Sequence, residues 1–224
     1  MLETRVHDLL EAPDAKLVIE RAQAILADEA ERRRAFYEWA GDDKRAEFIN
    51  GEIVLPAPTP LQNLDAEQNL AMLLRIYVSQ HKLGEVASAR AMISLTRNDY
   101  EPDICFWRTE IADTFDGDTL YFPVPDLIVE AITDDTTGRD RGVKFEDYAA
   151  HGVREYWIID PVRKSVEQYQ LDEPTMAFAL IATLYVDDQL EALTVPGFRI
   201  SVRAIFNKET NVETLRALMT KPIT

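Results

Sequence analysis

Apolar residues recur at helical spacing early in the chain. Leu17, Val18, Ala22, Ile25 and Leu26 fall on one face of a helix predicted over residues 14–40, and EAERRRAFYEW continues the pattern. The break comes at Gly41-Asp42-Asp43. In AEFINGEIVL, residues 46–55, two short runs flank Asn50-Gly51, a tight-turn dipeptide, and predict a hairpin. Pro56, Pro58 and Pro60 impose an extended connection, because each ring fixes its own φ and disfavours helix in the residue before it. Helical spacing returns from Leu61 to His81, with Leu70, Leu73, Leu74 and Tyr77 on one face and Gly84 as the expected terminator.

The second half reads mainly as strands. Short ones are predicted near residues 85–95 and 102–107, followed by a charged, turn-rich loop over 108–122. PDLIVEAI (125–132) and EYWIID (155–160) are nearly continuous apolar runs, the kind buried on both faces in a central sheet. Between them, residues 139–150 predict a helix ended by His151-Gly152. More β-structure is expected over 165–171, 177–185 and 189–194, then a Pro196-Gly197 turn and a short terminal helix near 210–219. Helices interleaved with strands, plus an antiparallel extension, predict an α/β or α+β sheet with helices packed on it. Residues 1–40 read as an added helical arm.

Composition narrows the classes. A chain of 224 residues holds one substantial core. There is no repeat of fixed period, and no apolar run nears the roughly 18 residues that span a bilayer. The first dozen residues carry acids and no long apolar stretch, so no signal peptide is expected and the cytoplasm is the expected compartment. Cys105 is the only cysteine, which excludes an internal disulfide and a cysteine-rich zinc site. His7, His81 and His151 lie far apart, which argues against a histidine-built metal site. A net charge of −16 speaks against loose, salt-driven attachment to nucleic acid, yet leaves room for a local basic groove and for acids that bind cations. The glycine-rich turn of dinucleotide sites, the phosphate loop of nucleotide hydrolases and the serine elbow of hydrolases are all missing from the sequence.

Three residues carry candidate chemistry. Asp103 follows a proline at the head of EPDICFW, and Glu130 lies inside the apolar run of VPDLIVEAI. Burying a carboxylate without a partner is expensive, so Glu130 points at something specific. Lys144 follows fourteen residues later, in the next helix. If the two strands are neighbours, their acids converge, and a helix returning over the sheet brings the lysine to them. Two carboxylates suit a hard cation such as magnesium, and a lysine can position water or stabilise charge on a phosphate. Plainer readings stand beside this one. An aspartate after proline is an ordinary turn residue, and Asp126 has the same context. Lys144 has Asp140 four residues before it and Asp147 three after, a spacing suited to surface ion pairs. Tyr148, Tyr156 and Trp157 are candidates for base stacking or for core, and Arg139, Arg141 and Lys144 for a phosphate-binding cluster or a solvated helix start.

These segments, with EFINGEIVLPAPTP, DRGVKFEDYAAHGVREYWIIDP and VPGFRI, resemble the Uma family of restriction endonucleases, part of the PD-(D/E)XK nuclease superfamily. The resemblance covers roughly residues 44–206. It implies a restriction-endonuclease-like αβββαβ core over 44–206, a helical extension over 1–43 and a helical tail over 207–224. It implies DNA as substrate, hydrolysis of phosphodiester bonds, Mg2+ (or Mn2+) as cofactor, and a homodimer that meets two strands. Asp103 matches the motif aspartate and Glu130 its second acid, both as metal ligands. Two residues on stands Ile132 rather than lysine, and Lys144 matches the place where such families supply that lysine from the next helix. Glu47 matches a further acid of the pattern. Gln62 stands where many relatives carry histidine, and Asp134 and Asp135 add charge after Glu130. An inactive nuclease-like binding module is the alternative. A hydrolase of small phosphate esters is a third reading.

Overall fold

The computed structural model describes residues 2–41, 44–88 and 91–220. Asp42 and Asp43, in the expected helix break, and Ala89 and Arg90, inside the strand expected over 85–95, lie outside the described residues. The chain forms two compact units, residues 1–56 with 96–100, and 57–95 with 101–224.

The first unit contains α1 (Leu2–Glu11), α2 (Ala15–Ala40), β1 (Glu47–Ile49), β2 (Glu52–Val54) and β5 (Asp99–Tyr100). The expected hairpin forms, with β1 pairing to β2 on one side and to β5 on the other. Only the second half of α2 buries its apolar stripe, where Phe36 packs on Phe48 with ring centroids 5.6 Å apart. Buried polar groups there are matched. Arg33 forks onto Asp99 at 2.6 and 2.7 Å, Tyr37 donates to the same carboxylate, and Arg97 forks onto Glu29. Leu17, Val18, Ile25 and Leu26, on the first half of α2, are exposed.

The second unit begins with α3 (Leu61–His81), β3 (Gly84–Ser88) and β4 (Met92–Ser94) and resumes with β6 (Ile104–Arg108), α4 (Thr109–Ala112), β7 (Tyr121–Phe122) and β8 (Leu127–Ala131). It continues through α5 (Thr137–Asp140), α6 (Val143–Ala150), β9 (Glu155–Asp160), β10 (Ser165–Asp172), β11 (Ala177–Tyr185) and β12 (Gln189–Glu191). β13 (Arg199–Ser201), α7 (Arg203–Phe206) and α8 (Lys208–Thr220) close it. Its main sheet runs β11-β10-β9-β8-β6-β3, with β8 and β9 parallel and the other pairs antiparallel. In chain order, α3, β3, β6, β8, α6 and β9 give the αβββαβ core. The mixed sheet with helices on it is the expected restriction-endonuclease-like fold.

Alternation along β8 assigns its two faces. Leu127, Val129 and Ala131 join Leu70, Leu73 and Leu74 of α3 in the main core, with Phe106, Trp157 and Ile159 from neighbouring strands. Ile128 and Glu130 take the opposite face. On that side Phe145 of α6 packs edge-on against Tyr156, Tyr169 and Phe178 at 4.9–5.9 Å.

Two expected boundaries move. The helix over 139–150 divides into α5 and α6 at Gly142, where an added Cβ would lie 2.6 Å from the Gly138 carbonyl oxygen. The terminator of α3 is Lys82, left-handed at φ 53°. Gly84 instead opens β3 at φ 143°, with a Cβ that would sit 1.9 Å from the Trp107 carbonyl. It is glycine because β6 passes too close for anything larger. The loop expected over 108–122 carries the short α4 and β7.

Candidate active site

β6 and β8 both begin after Pro-Asp, at Pro102-Asp103 and Pro125-Asp126. In an antiparallel pair, the start of one strand lies beside the end of the other. Asp103 accepts a hydrogen bond from the Ala131 N–H at 2.7 Å, and Asp126 accepts one from the Arg108 N–H at 2.9 Å. The two dipeptides therefore do the same job at opposite ends, each acid receiving a main-chain donor of the partner strand. Asp126 also forms an ion pair with the Arg108 guanidinium, so that end is closed electrostatically.

The other end is different. Ile104 stands opposite Val129, so the register carried one residue further sets Asp103 level with Glu130. Glu130 is buried beneath α6, and its Oε1 accepts hydrogen bonds from Lys144 Nζ and the Tyr148 hydroxyl, both at 3.0 Å. Lys144 and Tyr148 are one helical turn apart, so α6 presents both to the same strand. Lys144 Nζ also lies 3.5 Å from Asp140 Oδ1, at the end of α5, while the Asp140 carbonyl accepts from the Tyr156 hydroxyl at 3.0 Å. Burial, then the fields of Glu130 and Asp103, push the Cys105 thiol well above its ordinary range, with Lys144 opposing. Burial, then Glu130, Asp140 and Asp103, push the Tyr156 phenol up too. Both groups sense the same carboxylates, as expected of one shared, poorly solvated space.

Asp103, Glu130 and Lys144 thus come together, from two strands and a helix. Lys144 is not a surface residue. Of its two spacing partners Asp140 meets it, whereas Asp147 lies 3.1 Å from His151. Glu47 is half-buried on β1 of the first unit, opposite Val54 in the hairpin. Tyr148, Tyr156 and Trp157 are fully buried, which removes them as stacking platforms. Arg141 is clamped by Glu167 at 2.6 and 2.8 Å, so the basic cluster does not stand open as a unit. Asp140 and Tyr148 are the members that sequence reasoning did not assign. Their signal is the spacing, four residues either side of Lys144. Beyond the end of β8, Gln62, Asn63, Thr133 and Asp134 line a cleft of about 350 Å³.

The donor chemistry fits a small hard cation. Magnesium is usually held through one or two carboxylates, with substrate phosphate and water completing the shell. Asp103 and Glu130 could supply that pair, and among the described residues no group of three acidic, histidine or cysteine side chains gathers as a metal site. Beside the carboxylates, the buried ammonium of Lys144 would act on an anionic oxygen or on water.

Comparison with known proteins bears on this arrangement. No curated protein matches the chain. A solved structure from Anabaena variabilis, described as a "putative nuclease belonging to DUF820", is similar in fold, with a TM-score of 0.61, 15% identity, and 77% of this chain and 92% of that one covered. The family model described as "Uma2: Putative restriction endonuclease" matches residues 33–203, which include every member of the cluster. Because the match spans well over half the sequence, the chain belongs to the Uma2 family of restriction-endonuclease-like proteins.

Proposed function

We propose that this protein is a metal-dependent endonuclease that hydrolyses phosphodiester bonds in DNA, with Mg2+ as its ion and Mn2+ as a substitute. The observation that carries the reading is the convergence of Asp103, Glu130 and Lys144 at one end of the sheet. Asp103 and Glu130 would hold the cation, and Glu47 is assigned an assisting role from the family pattern alone. When bound, the ion supplies a lowered water pKa and a clamp on the phosphoryl oxygens. Lys144 would orient the attacking water and stabilise charge building on the phosphate. Tyr148 and Asp140 hold the glutamate and the ammonium in place by the bonds already described. The cytoplasm is the compartment this reading implies.

Plasmid cleavage with added Mg2+ or Mn2+ tests the assignment. Asp103→Ala and Lys144→Ala are expected to abolish metal-dependent cleavage, and unchanged cleavage by both rejects these roles. Cleavage of a chromogenic diester but not of plasmid would move the substrate to small phosphate esters. A dimer, so that two sites meet two strands, belongs to the same reading. The exposed Leu17, Val18, Ile25 and Leu26 on α2 form the surface a second copy would cover. Light scattering of Ile25→Glu, expected to halve the mass in solution, tests that surface.

A further inference from the structure

We infer that Asn63 is a positioning residue for the cation site, an assignment that rests on the nuclease reading and deepens it by naming what keeps the two carboxylates in place. The starting point is a polar side chain at a core position. Along α3, Ala66, Leu70, Leu73 and Tyr77 form a buried stripe at helical spacing, and Asn63 occupies the head of that stripe at 2% exposure. Burying an amide is costly unless its donors are used. Asn63 Nδ2 donates to the Ile132 carbonyl at 2.7 Å and to the Ala131 carbonyl at 3.3 Å.

Those two carbonyls lie where β8 ends, beside Asp103 and Glu130. The main-chain ladder between β6 and β8 stops at the Ile104–Val129 pair. Beyond it, side chains take over. Asp103 receives the Ala131 N–H at 2.7 Å, and Asn63 supplies a donor to the carbonyl of the same residue. The Ile132 N–H goes to the Ile159 carbonyl at 2.9 Å, next to the second carbonyl that Asn63 holds. Asn63 thus ties down the end of β8 from the α3 face of the sheet, while Lys144 and Tyr148 hold Glu130 from the α6 face.

The consequence for the site is positional. Asp103 takes its orientation from a main-chain N–H, so that orientation is only as firm as the end of β8. Glu130 directly precedes Ala131, so the same few residues set the gap between the two acids. Magnesium demands near-ideal octahedral geometry at roughly 2.0–2.1 Å and tolerates little error in that gap. Without the Asn63 amide, two carbonyls lose a buried donor and the strand end is drawn toward other partners. Asn69, further along α3, supplies the contrast. It too is buried and donates to a main-chain carbonyl, that of Ile205 at 2.9 Å, but it braces α7, which carries no member of the site.

The test reads the cation apart from the reaction. Half-saturating Mg2+ is measured from thermal melts at constant ionic strength, with plasmid cleavage beside it, for the native chain, Asn63→Ala, Asn63→Ser and Asn69→Ala. Asn63→Ala is expected to raise the half-saturating Mg2+ concentration roughly 10–100-fold, the usual effect of removing a group that orients a metal ligand. Cleavage at limiting Mg2+ should fall with it, while the KM for DNA stays unchanged. Asn63→Ser keeps a hydroxyl donor too short to span both carbonyls, so it should fall between the two and repeats the comparison at a smaller cost in stability. Asn69→Ala should lower the melting temperature without metal, yet leave half-saturating Mg2+ at the native value. Two outcomes overturn this assignment alone. Either the native chain binds Mg2+ saturably and both Asn63 variants match it, or Asn69→Ala weakens Mg2+ as much as Asn63→Ala does. If the native chain shows neither a saturable shift nor cleavage, the nuclease reading falls and takes the assignment with it.

Discussion

Glu155 shows what a buried carboxylate looks like when its role is to hold the fold. Its Oε1 accepts from the Trp157 indole N–H at 2.7 Å and the Gln168 amide at 2.8 Å. Its Oε2 accepts from the N–H groups of Leu193 and Thr194 and from the Thr194 hydroxyl, all at 2.8–2.9 Å. Every donor is neutral, and together they tie residues 193–194 to β9. Glu130 instead meets an ammonium and a phenol within reach of a second acid. Glu155→Ala strands five donors at once and is expected to lower unfolding free energy by roughly 3–5 kcal/mol. Denaturant titration measures that, while cleavage per folded molecule stays unchanged. The two Pro-Asp acids should separate just as cleanly. Asp126→Asn, which weakens the Arg108 pair, is expected to cost roughly 1–3 kcal/mol and to spare cleavage. Asp103→Asn is expected to lose cleavage at a smaller cost in stability. The residue types alone could not make that distinction, because Pro102-Asp103 and Pro125-Asp126 look identical along the chain. What differs is the residue across the ladder, and pairing is not written in local sequence. Lys144 is ambiguous along the chain for a related reason. Spacing offers it both Asp140 and Asp147, and the strand beneath α6 turns it inward.

At the scale of elements, the strongly periodic segments were legible and the tight junctions were not. Helix spacing after the proline-rich turn gives α3 its observed bounds, and the apolar run EYWIID gives β9. Along the chain Gly84 reads as a helix stop because glycine has that habit, whereas its real constraint is the passage of β6 1.9 Å from where a Cβ would lie. Gly84→Ala is therefore expected to destabilise by roughly 2 kcal/mol or more, seen as a lower denaturant midpoint. Lys82→Gly, at the left-handed cap, should stabilise by roughly 0.5–1 kcal/mol. The end of α6 adds a pH dependence. Hydrogen bonding to Asp147 raises the His151 pKa above its ordinary 6.5, against the opposing effect of burial. A group protonated more readily in the folded chain contributes its full stabilisation below pH 6.5 and loses it as pH rises through the raised value. The melting-temperature gap between the native chain and His151→Asn should accordingly be wider at pH 5.5 than at pH 8.5. Equal gaps would show that the imidazole is not held by Asp147.

For the whole molecule, the sequence order hid how the chain is shared out. It leaves the first unit after Pro56 and returns for Thr96–Tyr100, where Arg97 and Asp99 meet Glu29 and Arg33 of α2. Periodicity is local and carries no trace of such a return. Charge is the property that does act across the whole chain. At −16, any divalent cation will accumulate diffusely around the protein and relieve self-repulsion, so a rise in melting temperature with Mg2+ alone proves little. A specific site adds a saturating contribution on top. At ten times its dissociation constant, a cation that binds only the native state stabilises it by about 1.4 kcal/mol. For a chain of this size that corresponds to a shift of about 3–6 °C. The measurement is a thermal melt over a Mg2+ and a Mn2+ series at constant ionic strength, for the native chain, Asp103→Ala and Glu130→Gln. Screening survives both substitutions, because each removes one charge of many, but ligation does not. A saturating shift in the native chain that disappears in both variants places the ion between the two strands. A shift of equal size in all three would assign the whole effect to the diffuse ion atmosphere and leave Asp103 and Glu130 without a cation to hold.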